Sequence, residues 1–331
     1  MKKLIALAIT AVFLFLVGKT ILWSARFMRD TGLTPGLVIR LLFDQGAKLK
    51  AKNGSTNVLI LGMGGGTHAG ADLTDSMMVL SVNSDKKSMA IVSVPRDIWS
   101  DTLKDRINSA YHYGEEKQEG GGLLLAKVVV EDVVGIPIHY AIVIDFSGFK
   151  KVIDEVGGID VDVPRAFTDP DFPIAGKEND TCPGDPTNRC LYETIHFDAG
   201  VQRMDGERAL IYARSRHAEG EEGGDFARSR RQQDILTALK NKMIRPFSWV
   251  TPGRITRLSR VLDEATDMDM NLAEALTLGK QFVRFSGTEV KKISFEDKLI
   301  TPPSYVYGRY VLVPEDSWED IHSFIKTQLE R

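Results

Sequence analysis

The chain has 331 residues, of which 43% are hydrophobic and 26% charged, a composition typical of one large or two small globular domains. It excludes a disordered chain, a collagen and a polytopic membrane protein. Lys and Arg number 42 against 45 Asp and Glu, and the net charge of -3 provides no overall positive field to attract nucleic acid. Only Cys182 and Cys190 occur, which excludes a four-cysteine zinc site within one chain.

The first 25 residues combine a basic start with a long apolar run. Lys2 and Lys3 precede a segment, residues 4–17, in which every residue except Thr10 is apolar, and the run resumes at residues 21–23. From residue 4 to residue 23 it reaches the roughly 20 residues that span a bilayer. A signal peptide also begins this way, but no clean A-x-A cleavage site follows. We predict an uncleaved signal anchor over residues 1–25, a single transmembrane helix with the main domain extracytoplasmic.

The remainder of the chain predicts a layered α/β/α domain with a mixed central sheet over residues 57–331. Helical spacing of apolar residues makes residues 26–56 a juxtamembrane helical linker. Apolar or alternating segments predict strands at residues 57–61, 76–82, 89–94, 138–146, 159–163, 290–295 and 305–313. Helical periodicity predicts helices at residues 123–134, 149–156, 206–213, 226–243, 272–285 and 317–329.

The two cysteines lie in a short loop rich in Pro, Gly and Asp. An extracytoplasmic location permits a disulfide, and we predict that Cys182 and Cys190 form one. Two free thiols are the alternative.

Two carboxylates, Asp72 and Asp75, stand between a glycine-rich loop and the second predicted strand. The loop lacks the Lys-Ser/Thr pair of a phosphate-binding P-loop. The carboxylates are suited either to closing a turn or to binding a hard cation through oxygen, and the residues by themselves leave both readings open.

A second polar group follows the third predicted strand. Pro95 ends that strand because it cannot donate to a sheet ladder, so Arg96 and Asp97 lie on the rim, where α/β sheets usually hold ligands. A surface ion pair is the alternative. Arg106 begins a further short polar segment that contains an amide and an aromatic side chain.

The strongest local signal is a set of arginines. Residues 203–231 contain seven Arg and no Lys, and Arg is favoured over Lys for forked binding of phosphate. In an extended segment Arg214 and Arg216 project from the same face, and Arg228, Arg231 and Gln232 share a helical face at i, i+3 and i+4. The two sets predict one anion site. The alternative is that neighbouring acidic side chains neutralise them in surface pairs.

Seven segments in fixed order together resemble the LytR–CpsA–Psr family of envelope proteins. They are residues 57–62 (NVLILG), 74–78 (TDSMM), 93–97 (SVPRD), 106–111 (RINSAY), 157–164 (GGIDVDVP), 205–216 (DGERALIYARSR) and 225–233 (DFARSRRQQ). The resemblance implies a single-pass membrane protein whose extracytoplasmic α/β domain holds a polyprenyl-pyrophosphate lipid. It also implies Mg²⁺ as cofactor.

The resemblance assigns roles to individual residues. Asp75 matches a magnesium-binding aspartate, and Arg96, Arg214, Arg216 and Gln232 match pyrophosphate contacts. The arginines beside them, here completed by Arg106, Arg228 and Arg231, belong to the same predicted binding set. Two positions depart from the family pattern: Leu73 stands where an arginine is frequent, and Gly64 where the loop often has an aspartate. Metal binding is therefore expected to involve Asp72 as well.

The resemblance implies a Mg²⁺-dependent phosphotransferase. The reaction would move a phospho-glycopolymer, such as teichoic acid or capsule, from the lipid carrier to peptidoglycan. Phosphoryl transfer requires positioning and charge neutralisation, which Arg96 and the metal would supply, and Asp97 or Asp75 would accept the proton of the attacking hydroxyl. A non-catalytic lipid-binding regulator and a lipid-pyrophosphate phosphatase are the alternatives, because the same arginines would serve all three.

Overall fold

A computed structural model describes residues 47–65, 70–177, 180–245, 252–285 and 287–331, together with residues 19, 22, 24–26, 28 and 29. The predicted anchor and most of the predicted linker lie outside these residues. Among the residues described, no helix has both the length and the apolar character needed to cross a membrane. Residues 47–50, the last of the predicted linker helix, are not helical.

The secondary structure alternates strands and helices along the chain. The strands are β1 (Ser55–Met63), β2 (Thr74–Asn83), β3 (Ser88–Ser93), β4 (Trp99–Ser100), β5 (Asp105–Arg106), β6 (Tyr140–Asp145), β7 (Ile159–Val163), β8 (Phe167–Pro173), β9 (Tyr192–Phe197), β10 (Gly200–Met204), β11 (Thr266–Met268), β12 (Val290–Ile293), β13 (Leu299–Ile300) and β14 (Val313–Pro314). The α-helices are α1 (Ala110–Lys117), α2 (Gly122–Val134), α3 (Phe146–Glu155), α4 (Gly206–Arg214), α5 (Gly224–Met243), α6 (Pro252–Ala265), α7 (Leu272–Arg284), α8 (Ser304–Tyr307) and α9 (Trp318–Glu330).

The central sheet has six strands in the order β11-β6-β1-β2-β3-β12. It is mixed, as predicted: β6 runs parallel to β1 and β12 parallel to β3, whereas β2 is antiparallel to both of its neighbours. The carboxyl ends of β1, β3, β6 and β12 therefore share one edge with the start of β2. Ligands of open α/β sheets bind outside such an edge.

Both faces of the sheet are covered, because alternate side chains of each strand are apolar. Leu59 and Leu61 of β1 belong to a core that includes residues of α2 and α9. Val58 faces the other way and packs in a core with Leu278 of α7. Since successive strand residues point to opposite faces, this arrangement confirms the predicted three-layer architecture.

A second core lies beside the sheet and supports the arginine-rich segment. The antiparallel pairs β7–β10 and β8–β9 pack with α3, α4 and α5. At its centre the rings of Phe167, Phe197 and Tyr212 lie 5.1 to 6.1 Å apart between centroids. Residues 159–163 alternate buried and exposed as predicted. The sequence did not predict β8, β9 and β10, because their turn residues conceal the apolar alternation.

The loop between β8 and β9 contains the disulfide that the sequence predicts, between Cys182 and Cys190. The predicted strand over residues 305–313 is wrong. The chain there forms the one-turn helix α8, which ends at Gly308 with φ 71°, and only Val313 and Pro314 form a strand. Two prolines at residues 302 and 303 fix φ ahead of the turn, and Gly308 adopts the left-handed conformation that stops a helix.

Candidate active site

A cavity of about 270 Å³ opens at the carboxyl edge of the central sheet. Its walls come from the start of β2, the segment after β3, the first turns of α5 and the segments that follow β12. The polar side chains that the argument below uses are Arg96, Arg228 and Gln232, and the carboxylates of Asp75, Asp97, Asp225 and Glu296. The cavity therefore combines segments that are more than 200 residues apart in the sequence.

Arg96 occupies the centre of this arrangement. Its Nη1 donates to Oδ1 of Asp75, and its Nε lies 3.4 Å from Oδ2 of Asp97. Burial lowers the pKa of Arg96, but the two carboxylates outweigh burial, so the net pKa lies above its ordinary value. The guanidinium is therefore a permanent positive charge in the cavity.

Asp97 connects two of the predicted arginines. It is 6% exposed, and its Oδ1 accepts a hydrogen bond of 2.9 Å from Nη1 of Arg106 while Oδ2 faces Arg96. Both oxygens are thus committed to guanidinium groups. This geometry suits a residue that orients arginines, and it argues against the predicted role of Asp97 as a proton acceptor.

The first turns of α5 contribute further predicted residues. Arg228 is paired with Asp225 at 2.9 Å, and Gln232 accepts a hydrogen bond of 2.9 Å from the hydroxyl of Ser76 on β2. Burial lowers the pKa of Arg228, and the nearby charges of Arg96 and Arg216 act in the same direction, opposed by Asp225. An anion bound among these guanidinium groups would offset their mutual repulsion.

Arg214 and Arg216 follow one another at the end of α4, as predicted. The guanidinium of Arg214 lies over two aromatic rings, 4.7 Å from the centroid of Phe146 and 5.5 Å from that of Phe172. Arg216 is exposed, and its Nε donates to Nε2 of His217 at 3.2 Å. Electrostatic coupling to Arg228 places Arg216 near the cavity.

The backbone of this arginine segment is anchored by Asp169, a residue that the sequence did not indicate. Its Oδ2 accepts hydrogen bonds from the hydroxyl of Ser215 at 2.7 Å and from the backbone N–H groups of Arg216 and His217 at 3.0 and 3.1 Å. Burial raises the pKa of Asp169, but these hydrogen bonds lower it further, so the net pKa lies below its ordinary value. The ionised carboxylate thus fixes the direction of the segment.

Arg231 serves the same segment from the other side, and not the cavity to which it was assigned. It is 1% exposed, its Nη2 donates to the carbonyl oxygen of Ser215 at 2.6 Å, and its Nη1 donates to Glu222. At 100° per helical residue, Arg228 and Gln232 are 40° apart, whereas Arg231 lies 60° beyond Arg228 on the opposite side. The helix therefore directs Arg231 into the second core, where it stacks over Phe167.

The two predicted metal ligands do not converge. Asp75 faces the cavity and Arg96, whereas the exposed Asp72 directs Oδ2 to Nδ1 of His112 at 2.5 Å. Within the described part of the chain, the one group of three potential metal ligands that lie close together is Asp180 with the two disulfide-bonded cysteines. At the cavity only Asp75 of the predicted pair remains for an ion, and Mg²⁺ is commonly held by one or two carboxylates together with substrate phosphates.

Two further carboxylates in the cavity were not assigned to the site from the sequence. Asp225 precedes the arginines of α5 in the same motif, so its position in the chain was a signal. Glu296 lies in a turn after β12, and its surroundings in the sequence contain no motif that distinguishes it. It is 8% exposed, and its Oε1 accepts a hydrogen bond of 3.0 Å from the hydroxyl of Ser229.

Comparison with known proteins agrees with the fold and with the order of the motifs. The chain is 32% identical over 227 residues to the polyisoprenyl-teichoic acid–peptidoglycan teichoic acid transferase TagV of Bacillus subtilis, a match that covers 67% of this chain and 51% of that protein. It is 29% identical over 264 residues to TagU of Bacillus anthracis, which carries the same descriptive name, covering 78% of this chain and 74% of TagU.

A crystal structure of B. subtilis TagV superposes with a TM-score of 0.59 at 27% identity, covering 85% of this chain and 99% of that structure. The matched region spans about half the length of the TagV sequence. The model of the LytR_cpsA_psr family matches residues 42–326, which include every segment of the cavity and both supporting cores. The chain belongs to the LytR–CpsA–Psr family.

Proposed function

We propose that this protein transfers a phospho-glycopolymer of the teichoic acid type from a polyprenyl-pyrophosphate carrier to peptidoglycan. The observation that supports it most directly is the convergence of Arg96, Arg228 and Gln232 in one cavity. The names of TagV and TagU supply the chemical class of the substrate.

The cavity offers what a pyrophosphate diester requires. Its several oxygens can accept forked, charge-assisted hydrogen bonds from Arg96 and Arg228, and Arg216 adds positive charge at the edge. During transfer, negative charge accumulates on the oxygen that leaves with the polyprenyl phosphate. Guanidinium groups already held in place by Asp97 and Asp225 stabilise that charge without reorganisation.

Magnesium belongs to the same proposal. Asp75, whose Oδ1 is engaged by Arg96, would hold the ion together with phosphate oxygens of the substrate. The ion would neutralise charge on the pyrophosphate. Because Asp72 is turned toward His112, we assign the metal-binding role to Asp75.

The proposal also includes a single-pass membrane anchor at residues 1–25, with the domain on the outer side of the cell membrane. The apolar run of spanning length supports it, and the disulfide between Cys182 and Cys190 is in accord with an oxidising compartment. N-terminal sequencing of the protein isolated from its own cells tests the anchor, and a mature start well beyond residue 23 would exclude it.

The activity is tested with the full chain in detergent, a lipid-pyrophosphoryl saccharide, a glycan acceptor and Mg²⁺. We expect a transfer product that depends on the acceptor. Release of free phosphate without transfer would identify a phosphatase, and binding without either product would identify a regulatory lipid-binding protein.

The binding site is tested by titrating polyprenyl pyrophosphate against Arg96→Lys and Arg214→Lys. Lys does not reproduce a forked contact, and the loss of one charge-assisted contact costs about 1.5–3 kcal/mol, so affinity should fall roughly tenfold to a hundredfold. Arg203→Lys is the control, because Arg203 pairs with Asp160 on the exposed face of the β7–β10 ribbon. If all three variants bind like the wild type, the cavity is not the anion site.

A further inference from the structure

The four carboxylates of the cavity differ in the groups that they face. Asp75 is paired with Arg96, Asp97 with Arg96 and Arg106, and Asp225 with Arg228. Within the part of the chain that the structure describes, Glu296 forms no ion pair with a Lys or Arg, and its side chain accepts a hydrogen bond from the neutral hydroxyl of Ser229. It is the one carboxylate of the four whose lone pairs are not committed to a guanidinium.

The position of Glu296 suits contact with a substrate. The turn that contains it follows β12 at the carboxyl edge of the sheet, opposite the segment of Arg96 across the same cavity. Ser229 holds Oε1, so the side chain is oriented and Oε2 is the oxygen that remains for a hydroxyl group. A general base must lie within hydrogen-bond reach of the proton that it removes, and a wall residue of the phosphate-binding cavity meets that condition.

We infer that Glu296 is the general base of the transfer reaction, and this role rests on the proposed function. The acceptor hydroxyl oxygen forms a bond to the phosphorus that bears the glycopolymer, and the bond from that phosphorus to the bridging oxygen breaks. The bridging oxygen leaves with the polyprenyl phosphate. The hydroxyl proton passes to the carboxylate of Glu296, which later releases it to solvent.

The electrostatic surroundings agree with this role. Burial raises the pKa of Glu296 to about 7, the nearby Asp225 raises it further, and Ser229, Arg228 and Arg230 lower it. The charged and titratable groups that face it across the cavity are Asp75, Asp97, Arg96 and Tyr310. A base whose pKa lies close to the working pH combines an adequate ionised fraction with a useful proton affinity.

The test compares wild type, Glu296→Gln and Glu296→Asp in the transfer assay from pH 5.5 to 8.5. The control is Glu289→Gln, an equal change of charge at an exposed position just before the opposite end of β12. General-base catalysis contributes about 10²–10⁴-fold, so Glu296→Gln should lower kcat at least a hundredfold and abolish the rise of rate through pH 7. Glu296→Asp should retain part of the activity and of the pH dependence.

A second measurement separates catalysis from binding. The affinity for polyprenyl pyrophosphate at pH 6 should change by less than about threefold in Glu296→Gln, because the arginines are intact, and circular dichroism should show a folded variant. Wild-type affinity should fall as pH rises through 7, because an ionised Glu296 repels the anion, and Glu296→Gln should lose this dependence.

Two outcomes would overturn the role, and they are distinguishable. Transfer by Glu296→Gln within threefold of wild type, with the pH dependence retained, excludes Glu296 as the base and leaves the proposed function intact. A wild-type chain that binds the lipid but converts nothing excludes the proposed function, and the role of Glu296 with it.

Discussion

The carboxylate of Asp169 accepts a hydrogen bond of 2.7 Å from the hydroxyl of Ser215, and both residues are fully buried. Ser215 lies between two arginines of the predicted anion site, and its carbonyl oxygen is held by Arg231. The direction of these arginines is thus set by buried groups that do not themselves face the substrate. Variants at Asp169 and Arg231 should affect folding first.

Asp169→Asn should destabilise the protein by about 3 kcal/mol or more. The amide cannot match an ionised acceptor that serves one hydroxyl and two backbone N–H groups, and a buried donor left unsatisfied costs about 1–3 kcal/mol. Urea denaturation at pH 7 measures the change. Asp162→Asn, an exposed carboxylate on β7, is the control and should lie within about 0.5 kcal/mol of wild type.

The same carboxylate predicts a pH dependence of stability. Because the pKa of Asp169 is depressed in the folded chain, its contribution is complete above the ordinary carboxyl pKa near 4 and is lost as pH falls below that value. Urea midpoints between pH 5 and pH 2.5 should fall less steeply for Asp169→Asn than for wild type. Parallel curves would contradict the assignment.

Arg231→Lys should lower stability rather than substrate affinity. Lys cannot reproduce the fork that holds the carbonyl oxygens of Ser215 and Glu222, and removal of one partner of a buried charged network costs about 3–5 kcal/mol. Thermal melts should show the loss. Arg216→Lys is the matched comparison, since its exposed side chain should leave the melting temperature unchanged. A normal melt for Arg231→Lys would contradict the structural role.

Glu296 should make the folded protein less stable as pH rises. Because burial raises its pKa from 4.5 to about 7, the folded chain binds a proton that the unfolded chain releases, and stability declines between these two pH values. Glu296→Gln should match wild type near pH 4.5 and exceed it by about 3 kcal/mol above pH 7. Chemical denaturation across this range measures the difference, with Glu289→Gln as the control that should follow wild type throughout.

Reduction of the disulfide should have a modest effect. The bond between Cys182 and Cys190 closes a sequence separation of 8 residues, and closing so short a loop contributes about 2–3 kcal/mol in the chain-entropy model. A Cys182→Ser/Cys190→Ser variant should therefore remain folded with a lower unfolding free energy. Labelling of two thiols in unreduced, denatured wild type would show that the bond does not form.

The local sequence determined most of the sheet and the identity of the arginines. Strands such as β1 and β7 were predictable because their side-chain period is imposed by the backbone, whatever they pack against. The paired cysteines were predictable because the chain between them is short. The stretch at residues 305–313 misled, since its aromatic composition resembles a strand while the prolines and Gly308 impose a turn.

Only the tertiary structure decided which side chains share the cavity. Arg231 has the spacing of a site residue, but the rotation of α5 that buries Ala227 and Ile235 also carries Arg231 into the second core. Asp72 and Asp75 are three residues apart, yet His112 of α1 attracts one and Arg96 the other. Glu296 lies 200 residues from Arg96 in the chain, and the parallel pairing of β12 with β3 brings the two to one edge. Such proximity depends on strand order, which local patterns do not encode.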